Sequence, residues 1–238
     1  MGKNVLIIGA SGDIGSAIAS QLGEEGYTLL LHYHQNKTAI EEIQRRLPSD
    51  AILDTVQADL TSDKGIKNLL SQIYYPIDSI VFASGVAYYG IFQDIPDNIM
   101  DEIISIHVKA PFSIVKEILP EMIQKKSGNI ILISSIWGEV GASHEVVYSA
   151  VKGAQNSFVK ALAKEVGPSG VSINAVSPGF IDTKMNPLSD EEKGILVDDI
   201  PLNRAGSTQD VANAVSFLLS DKAGYIHGEI LRVAGGWQ

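Results

Sequence analysis

Val5-Leu6-Ile7-Ile8-Gly9-Ala10-Ser11-Gly12-Asp13-Ile14-Gly15 begins with four consecutive apolar residues and breaks into glycines. It then continues from Ile14 to Ala17, Ile18 and Leu22 at three- to four-residue spacing. The first part fits a buried strand, the last a helix with one apolar face, and the glycines mark the turn between them. The same alternation repeats outward. Strand patterns occupy residues 28–31, 51–58, 79–83, 129–134, 171–176 and 229–233. Helix patterns occupy 39–47, a face on Ile66, Leu69, Leu70 and Ile73, then 98–122, 147–166 and 209–219. Seven strands with helices between most of them predict an α/β Rossmann fold: a doubly wound, seven-stranded parallel sheet in one domain over residues 1–238. Ligands bind such a sheet beyond the carboxyl ends of its strands. The stretch 178–204, rich in Pro, Asp and Asn, is expected to carry a substrate lid or loop at about 183–204, with a short helix at 190–196. A plain surface excursion is the alternative.

Composition narrows the function classes. The chain has 238 residues, 45% of them hydrophobic and 19% charged, enough to bury one large core. A net charge of −10 opposes binding to nucleic acid or an anionic membrane, both polyanionic surfaces. The apolar stretch after Met1-Gly2-Lys3-Asn4 is too short for a signal-peptide core, and no run of about 18 apolar residues follows, so a cytoplasmic protein is expected. Cysteine is absent and the five histidines form no H-x-x-x-H pair, so no metal cofactor is expected.

The turn from Gly9 to Gly15 sits where a dinucleotide cradle belongs, between the first strand and the first helix. Glycines let the backbone approach a pyrophosphate, and the free N–H groups at the helix start favour its negative charge. Gly9, Ser11, Gly12, Asp13, Ile14 and Gly15 are the candidates for that contact. The second strand ends in His32-Tyr33-His34-Gln35-Asn36-Lys37, without the acidic residue that would bond a free ribose 2′-hydroxyl. His32, His34 and Lys37 therefore lean the site toward NADP, although they could equally decorate a strand end and a solvated helix start. After the third strand, Asp59 could accept a hydrogen bond from an adenine amino group beside Leu60, or could open the following turn.

Tyr148-Ser149-Ala150-Val151-Lys152 places a phenol and an ammonium four residues apart, on one face if the segment is helical. A phenol is a weak acid, with an ordinary pKa of about 10. A nearby ammonium stabilises its phenolate, and such a tyrosine can give a proton to a ketone oxygen. The spacing alone also describes many surface pairs. Ser134-Ser135, at the end of the preceding strand, adds a hydroxyl that could meet the same oxygen.

Gly9 to Gly15, Asp59, Ser135, Tyr148-x-x-x-Lys152 and Asn174-Ala175-Val176-Ser177-Pro178-Gly179 together resemble the short-chain dehydrogenases/reductases, in the right order and over nearly the whole chain. The resemblance implies an NADPH-dependent oxidoreductase. Tyr148 would be the general acid; Lys152 would bind the nicotinamide ribose and lower the tyrosine's pKa; Ser135 would orient the carbonyl. Pro178, Gly179 and Ile181 would flank the nicotinamide, with Thr183 near the pyrophosphate or carboxamide. Ser84 and Gly85 belong to the same cofactor wall. Three departures stand out. Asp13 occupies the usual position of a glycine. Phe82-Ala83-Ser84-Gly85 replaces Asn-Asn-Ala-Gly. His107 stands where relatives carry an asparagine that holds a relay water, and could hold that water, relay the proton itself, or play no catalytic part.

Within the family the chain is similar to 3-oxoacyl-[acyl carrier protein] reductases, and more closely to bacterial reductases of the 5-aminopentanone group on elongation factor P. Either resemblance implies a flexible ketone arm carried on a protein, so elongation factor P or acyl carrier protein is the expected partner. Of two positions where the carrier reductases often have basic docking residues, one is Lys126 and the other is Ser169. Trp137, Glu139 and His144 lie between Ser135 and Tyr148 in sequence and could line the pocket, with Glu139 meeting a substrate amine. A non-catalytic NADP-sensing regulator is the reading from a different class, drawn from the changes at 82–85 and 107. An epimerase or dehydratase would need a substrate domain for which this chain has no room. The segment 225–237 and the helices at 98–122 and 147–166 resemble the interfaces of homotetrameric relatives.

Overall fold

The computed structural model describes residues 4–185 and 188–237. Its strands are β1 (Asn4–Ile8), β2 (Thr28–Tyr33), β3 (Ile52–Gln57), β4 (Ser79–Phe82), β5 (Gly128–Ile133), β6 (Val171–Pro178) and β7 (Ile230–Val233). They form one parallel sheet in the order β3-β2-β1-β4-β5-β6-β7. The helices are α1 (Asp13–Glu24), α2 (Lys37–Arg46), α3 (Asp63–Leu70), α4 (Asp97–Ile104), α5 (Ala110–Lys125), α6 (Trp137–Val140), α7 (Val146–Val166), α8 (Asp190–Asp198) and α9 (Thr208–Leu219). The doubly wound sheet expected from the alternation is the one observed.

Side chains alternate across a strand, and β1 shows what that does here. Val5 and Ile7 join the core layer formed with Ile18, Leu22, Val211 and Val215. Leu6 and Ile8 join the opposite layer with Ile66, Ile114 and Val159. All four are fully buried, each worth roughly 1.5–3 kcal/mol relative to exposure. A continuous apolar run is therefore what a central strand covered on both faces requires. The chain reverses its winding between β1 and β4, leaving a cleft beyond their carboxyl ends.

The helix expected over 98–122 is interrupted. Between α4 and α5 a π turn spans Ser105–Lys109, and the Ala110 N–H bonds to the Ser105 carbonyl. A one-residue widening of this kind cannot be read from apolar spacing, because the apolar face continues on both sides of it. The segment expected as a lid at about 183–204 includes Asn186 and Pro187, which lie outside the described residues. Around them the short helix appears as α8, opened by a Ser189–Glu192 capping box. The segment is tied down at Lys184, whose N–H bonds to Asp13 Oδ2 at 2.8 Å, and at Leu202, whose N–H bonds to the Gly235 carbonyl.

Glu139 is not available to a ligand as the sequence suggested. Its carboxylate accepts hydrogen bonds from the Arg232 guanidinium at 2.8–3.0 Å and from the Ser177 hydroxyl at 2.9 Å, bracing α6 against β6 and β7. Partial burial would raise the Glu139 pKa, but the Arg232 and Ser177 bonds and the Arg232 charge outweigh it and hold the group below its ordinary value. A carboxylate held low stabilises the fold above its unfolded pKa, and that contribution is lost as pH falls through the lower folded pKa. Glu139→Gln is therefore expected to lower the Tm at pH 7 and to make the acid-side loss of stability shallower. Parallel Tm-against-pH curves for the two proteins, taken from pH 7 to below the ordinary carboxylate range, would show that the brace contributes nothing.

Candidate active site

The cleft between the ends of β1 and β4 has a volume of about 270 Å³. Gly9, Ser11, Gly12, Asp13 and Ile14 form one wall, and Ala83, Ser84 and Gly85 another. His34, Asp59, Leu60 and Glu102 lie along it, and Thr183 and Met185 come from the segment after β6. The turn is built for close approach. Gly9 has φ +84°, and a Cβ there would meet the Ser84 backbone at 2.5 Å; one at Gly15 would meet the Gly9 carbonyl at 2.1 Å. The helix beyond starts at Gly12 without a side-chain cap, so its first N–H groups can serve an anion. These features fit a dinucleotide pyrophosphate.

His32 does not serve as a cation for that ligand. Its ring is buried, accepts the Gly9 N–H at Nδ1 (3.1 Å) and places Nε2 3.1 Å from the Ala58 carbonyl. Burial pushes its pKa down to about 4, with the Ala58 bond opposing. A neutral ring donating from Nε2 satisfies both contacts. His32 thus pins the ends of β1, β2 and β3 beneath the turn. His34 is half-exposed, with Nε2 3.9 Å from Asp59 Oδ1. Asp59 also accepts the Thr61 N–H at 3.0 Å, so the turn role and the cleft position coincide. Lys37 lies outside the cleft lining and reaches Glu41 at 3.7 Å.

The second cluster joins β5, α7 and the π turn. Ser134 donates to Asn156 Oδ1 at 2.7 Å and packs away from the cleft, leaving Ser135 as the serine whose hydroxyl lies against the Tyr148 phenol. Lys152 is buried. Its ammonium donates to the Ile133 carbonyl at 2.8 Å and to Gln155 Oε1 at 3.3 Å, and sits 5.3 Å from the centre of the Tyr148 ring. Burial pulls the Lys152 pKa down to about 7. The expectation that this ammonium lowers the Tyr148 pKa is not met: burial, then the nearby Glu145 charge, raise it, and only the Ser135 contact opposes. Desolvation of the phenolate outweighs an ammonium directed at other acceptors.

His107 is fully buried, and its Nδ1 has no hydrogen-bond partner among the described residues. Its Nε2 lies 2.8 Å from the Val86 carbonyl and 3.2 Å from the Val86 N–H, and its ring meets Tyr148 edge-on at 5.5 Å. Burial, then the Lys152 charge, hold its pKa well below the ordinary value, so the ring is neutral. It holds the segment after β4 at Val86, beside the Tyr148 ring. The backbone of His107 supplies the other half of the arrangement. Pro111, four residues on, has no N–H for the His107 carbonyl. Gln155 Nε2 donates to it instead, at 2.8 Å. One buried amide therefore satisfies both the Lys152 ammonium and the broken helix. Sequence reading missed Gln155, although its place three residues after Lys152 puts it on the same helix face.

Pro178 closes β6, and Gly179 and Ile181 follow it, bonded to Val233 and bridged to Gly206. Among the described residues, no group of three His, Asp or Glu could hold a metal ion, and no helix is long and apolar enough to cross a membrane.

Comparison with known proteins agrees with this architecture. A family model described as Enoyl-(Acyl carrier protein) reductase matches residues 9–238. The chain is 47% identical to an uncharacterized oxidoreductase, YmfI, of Bacillus subtilis, over 100% of this chain and 99% of that protein. It is 33% identical to a 3-oxoacyl-[acyl-carrier-protein] reductase of Staphylococcus epidermidis, over 99% of each. A solved angucycline C-6 ketoreductase, LanV, with bound NADP, superposes with a TM-score of 0.89 at 27% identity, over 98% of this chain and 95% of that one.

Gln155→Leu removes both hydrogen bonds and leaves the His107 carbonyl and one ammonium hydrogen buried without partners, at roughly 1–3 kcal/mol each. A drop in Tm of several degrees is expected, with Gln155→Glu recovering the Lys152 contact but not the one to His107. A leucine variant as stable as the parent would show that the amide carries neither bond.

Proposed function

Because the chain belongs to the short-chain dehydrogenase/reductase family and is an oxidoreductase, we propose that it reduces a ketone to an alcohol with NADPH. The observation that carries this reading is the convergence of the Ser135 hydroxyl, the Tyr148 phenol and the Lys152 ammonium, with His107 packed between the Tyr148 ring and Val86 of the glycine-walled cleft. Gly9, Ser11, Gly12, Asp13, Ile14 and Gly15 would hold the pyrophosphate, and Asp59 and Leu60 the adenine. Ser84, Gly85, Pro178, Gly179, Ile181 and Thr183 would hold the nicotinamide half. A carboxylate-free end to β2, with His34 exposed there, favours a 2′-phosphate over a free 2′-hydroxyl. The bound LanV cofactor is of the same kind.

When bound, the nicotinamide supplies a hydride. The chain's own work is at the carbonyl oxygen. Ser135 and Tyr148 both donate hydrogen bonds to that oxygen, and the phenolic proton passes to it as negative charge develops. A raised phenol pKa keeps the proton on Tyr148 until then, and a forming alkoxide is a far stronger base than a phenolate, so the transfer runs downhill. Lys152, held by Ile133 and Gln155, remains the positive charge nearest the phenolate and keeps one N–H for the nicotinamide ribose. The retained acid speaks against a sensor that binds NADP without turnover.

The proposed substrate is the 5-aminopentanone group on elongation factor P. The resemblance at residues 29–33, 134–139 and 148–164 supports it, as does the lack of a base at Ser169. Reduction of a 3-oxoacyl group on acyl carrier protein is the second reading, favoured by the named activity of the Staphylococcus relative. Assembly as a homotetramer is proposed with either.

With purified protein, NADPH oxidation followed at 340 nm is expected on 5-aminopentanone-modified elongation factor P in preference to acetoacetyl-acyl carrier protein. Tyr148→Phe should cut the rate by roughly 10²–10⁴-fold while NADPH still binds. Near-parental activity in that variant would place the proton donor elsewhere, and faster turnover of the acyl carrier substrate would reverse the choice of partner.

A further inference from the structure

The cleft that would take the dinucleotide has an unbalanced wall. Asp13, Asp59 and Glu102 line it, and among the described residues no lysine or arginine does. A carboxylate in such a place repels the phosphates of a cofactor unless it has a partner of its own. Asp59 has the Thr61 N–H and His34. Asp13, the first residue of α1, is partnered from 171 positions away. Its Oδ2 accepts the backbone N–H of Lys184 at 2.8 Å, and its Oδ1 lies 3.9 Å from the Lys184 ammonium.

Lys184 stands between Thr183 and Met185, both of which line the same cleft as the glycine turn. On the β6 side the segment is secured as far as Asp182. Ile181 bridges to Gly206, the Asp182 N–H bonds to the Gly206 carbonyl at 3.0 Å, and the Lys193 ammonium donates to Asp182 Oδ1 at 2.8 Å. Those contacts lead to α8 and to the turn before α9; the bond from Lys184 to Asp13 leads to the glycine turn. Its backbone part carries the tie. The Lys184 side chain is 91% exposed, so an ammonium 3.9 Å away in water adds little, whereas an N–H given to a carboxylate is a charge-assisted hydrogen bond.

From this geometry we infer that Asp13 is a positioning residue for the cofactor: its carboxylate straps residues 183–185 to the glycine turn, at the cleft that would hold the pyrophosphate, and so sets how fast the dinucleotide leaves. The inference rests on the NADPH reading and deepens it, since it gives the departure of the cofactor a specific bond to break. With Oδ2 committed to Lys184 and no side chain capping the start of α1, the first N–H groups of that helix are left to the phosphates. The same bond keeps Thr183 and Met185 in the cleft wall.

Release can be read directly. Protein loaded with NADPH is mixed with excess NADP in a stopped flow, and the loss of bound-NADPH fluorescence gives the dissociation rate. Asp13→Ala should raise that rate by about ten- to a hundred-fold, the range for losing a hydrogen bond to a charged group. Asp13→Asn keeps an oxygen for the Lys184 N–H and should recover most of the loss. Lys184→Pro removes the N–H and leaves Asp13 in place, so it should release NADPH as fast as Asp13→Ala, with the double variant no faster than either. Parental release from Asp13→Ala, or an asparagine variant as fast as the alanine one, overturns the assignment. Trypsin cleavage after Lys184 reads the strap without cofactor: it should be faster in Asp13→Ala than in the parent or Asp13→Asn, and equal cleavage in all three overturns the strap even where no NADPH binds. Neither readout needs a ketone. Fast release from Asp13→Ala supports the strap even if no ketone is reduced, in which case the reductase reading alone has failed.

Discussion

Lys152 is 3% exposed, and among the described residues its ammonium bonds to the Ile133 carbonyl and the Gln155 amide and to no carboxylate. Burying a charge without a counter-ion costs several kcal/mol unless its hydrogens are satisfied. The surrounding architecture supplies those partners from three separate elements. β5 offers a carbonyl at its end, α7 carries both the lysine and the glutamine, and the break between α4 and α5 exposes the carbonyl that orients the glutamine. Removing any one of them unsettles the others, so the site and the local fold are a single hydrogen-bonded unit.

A comparable economy governs the cofactor side. The turn after β1 must lie close against the segment after β4, and the contact at Gly9 leaves no room for a side chain. His32 holds that turn from below as a neutral ring, and Asp13 accepts the backbone N–H of Lys184 in the segment after β6. Asp13 therefore connects the glycine turn to the segment after β6. A glycine at this position could not make that connection.

The two carboxylates between Ser135 and Tyr148 are partnered differently. Both are glutamates, a few residues apart, and nothing in their identities separates them. Arg232, more than ninety positions further along the chain, pairs with Glu139, whereas Glu145 is half-buried against Trp137. Chemical meaning here comes from what a side chain is paired with.

The sequence by itself determined the seven-stranded doubly wound sheet, the glycine turn, and the grouping of Ser135, Tyr148 and Lys152. Those features rest on local periodicity, on the backbone needs of glycine, and on helical spacing, all of which act over a few residues. The tertiary structure alone decided the rest: that His32 is a buried neutral strut, that His107 bonds to Val86, that Gln155 joins Lys152 to the π turn, and that Glu139 is taken by Arg232. The reason is physical. The protonation state and availability of a polar group are set by its desolvation and its partners, and those partners come from strands and helices that meet only when the chain has folded.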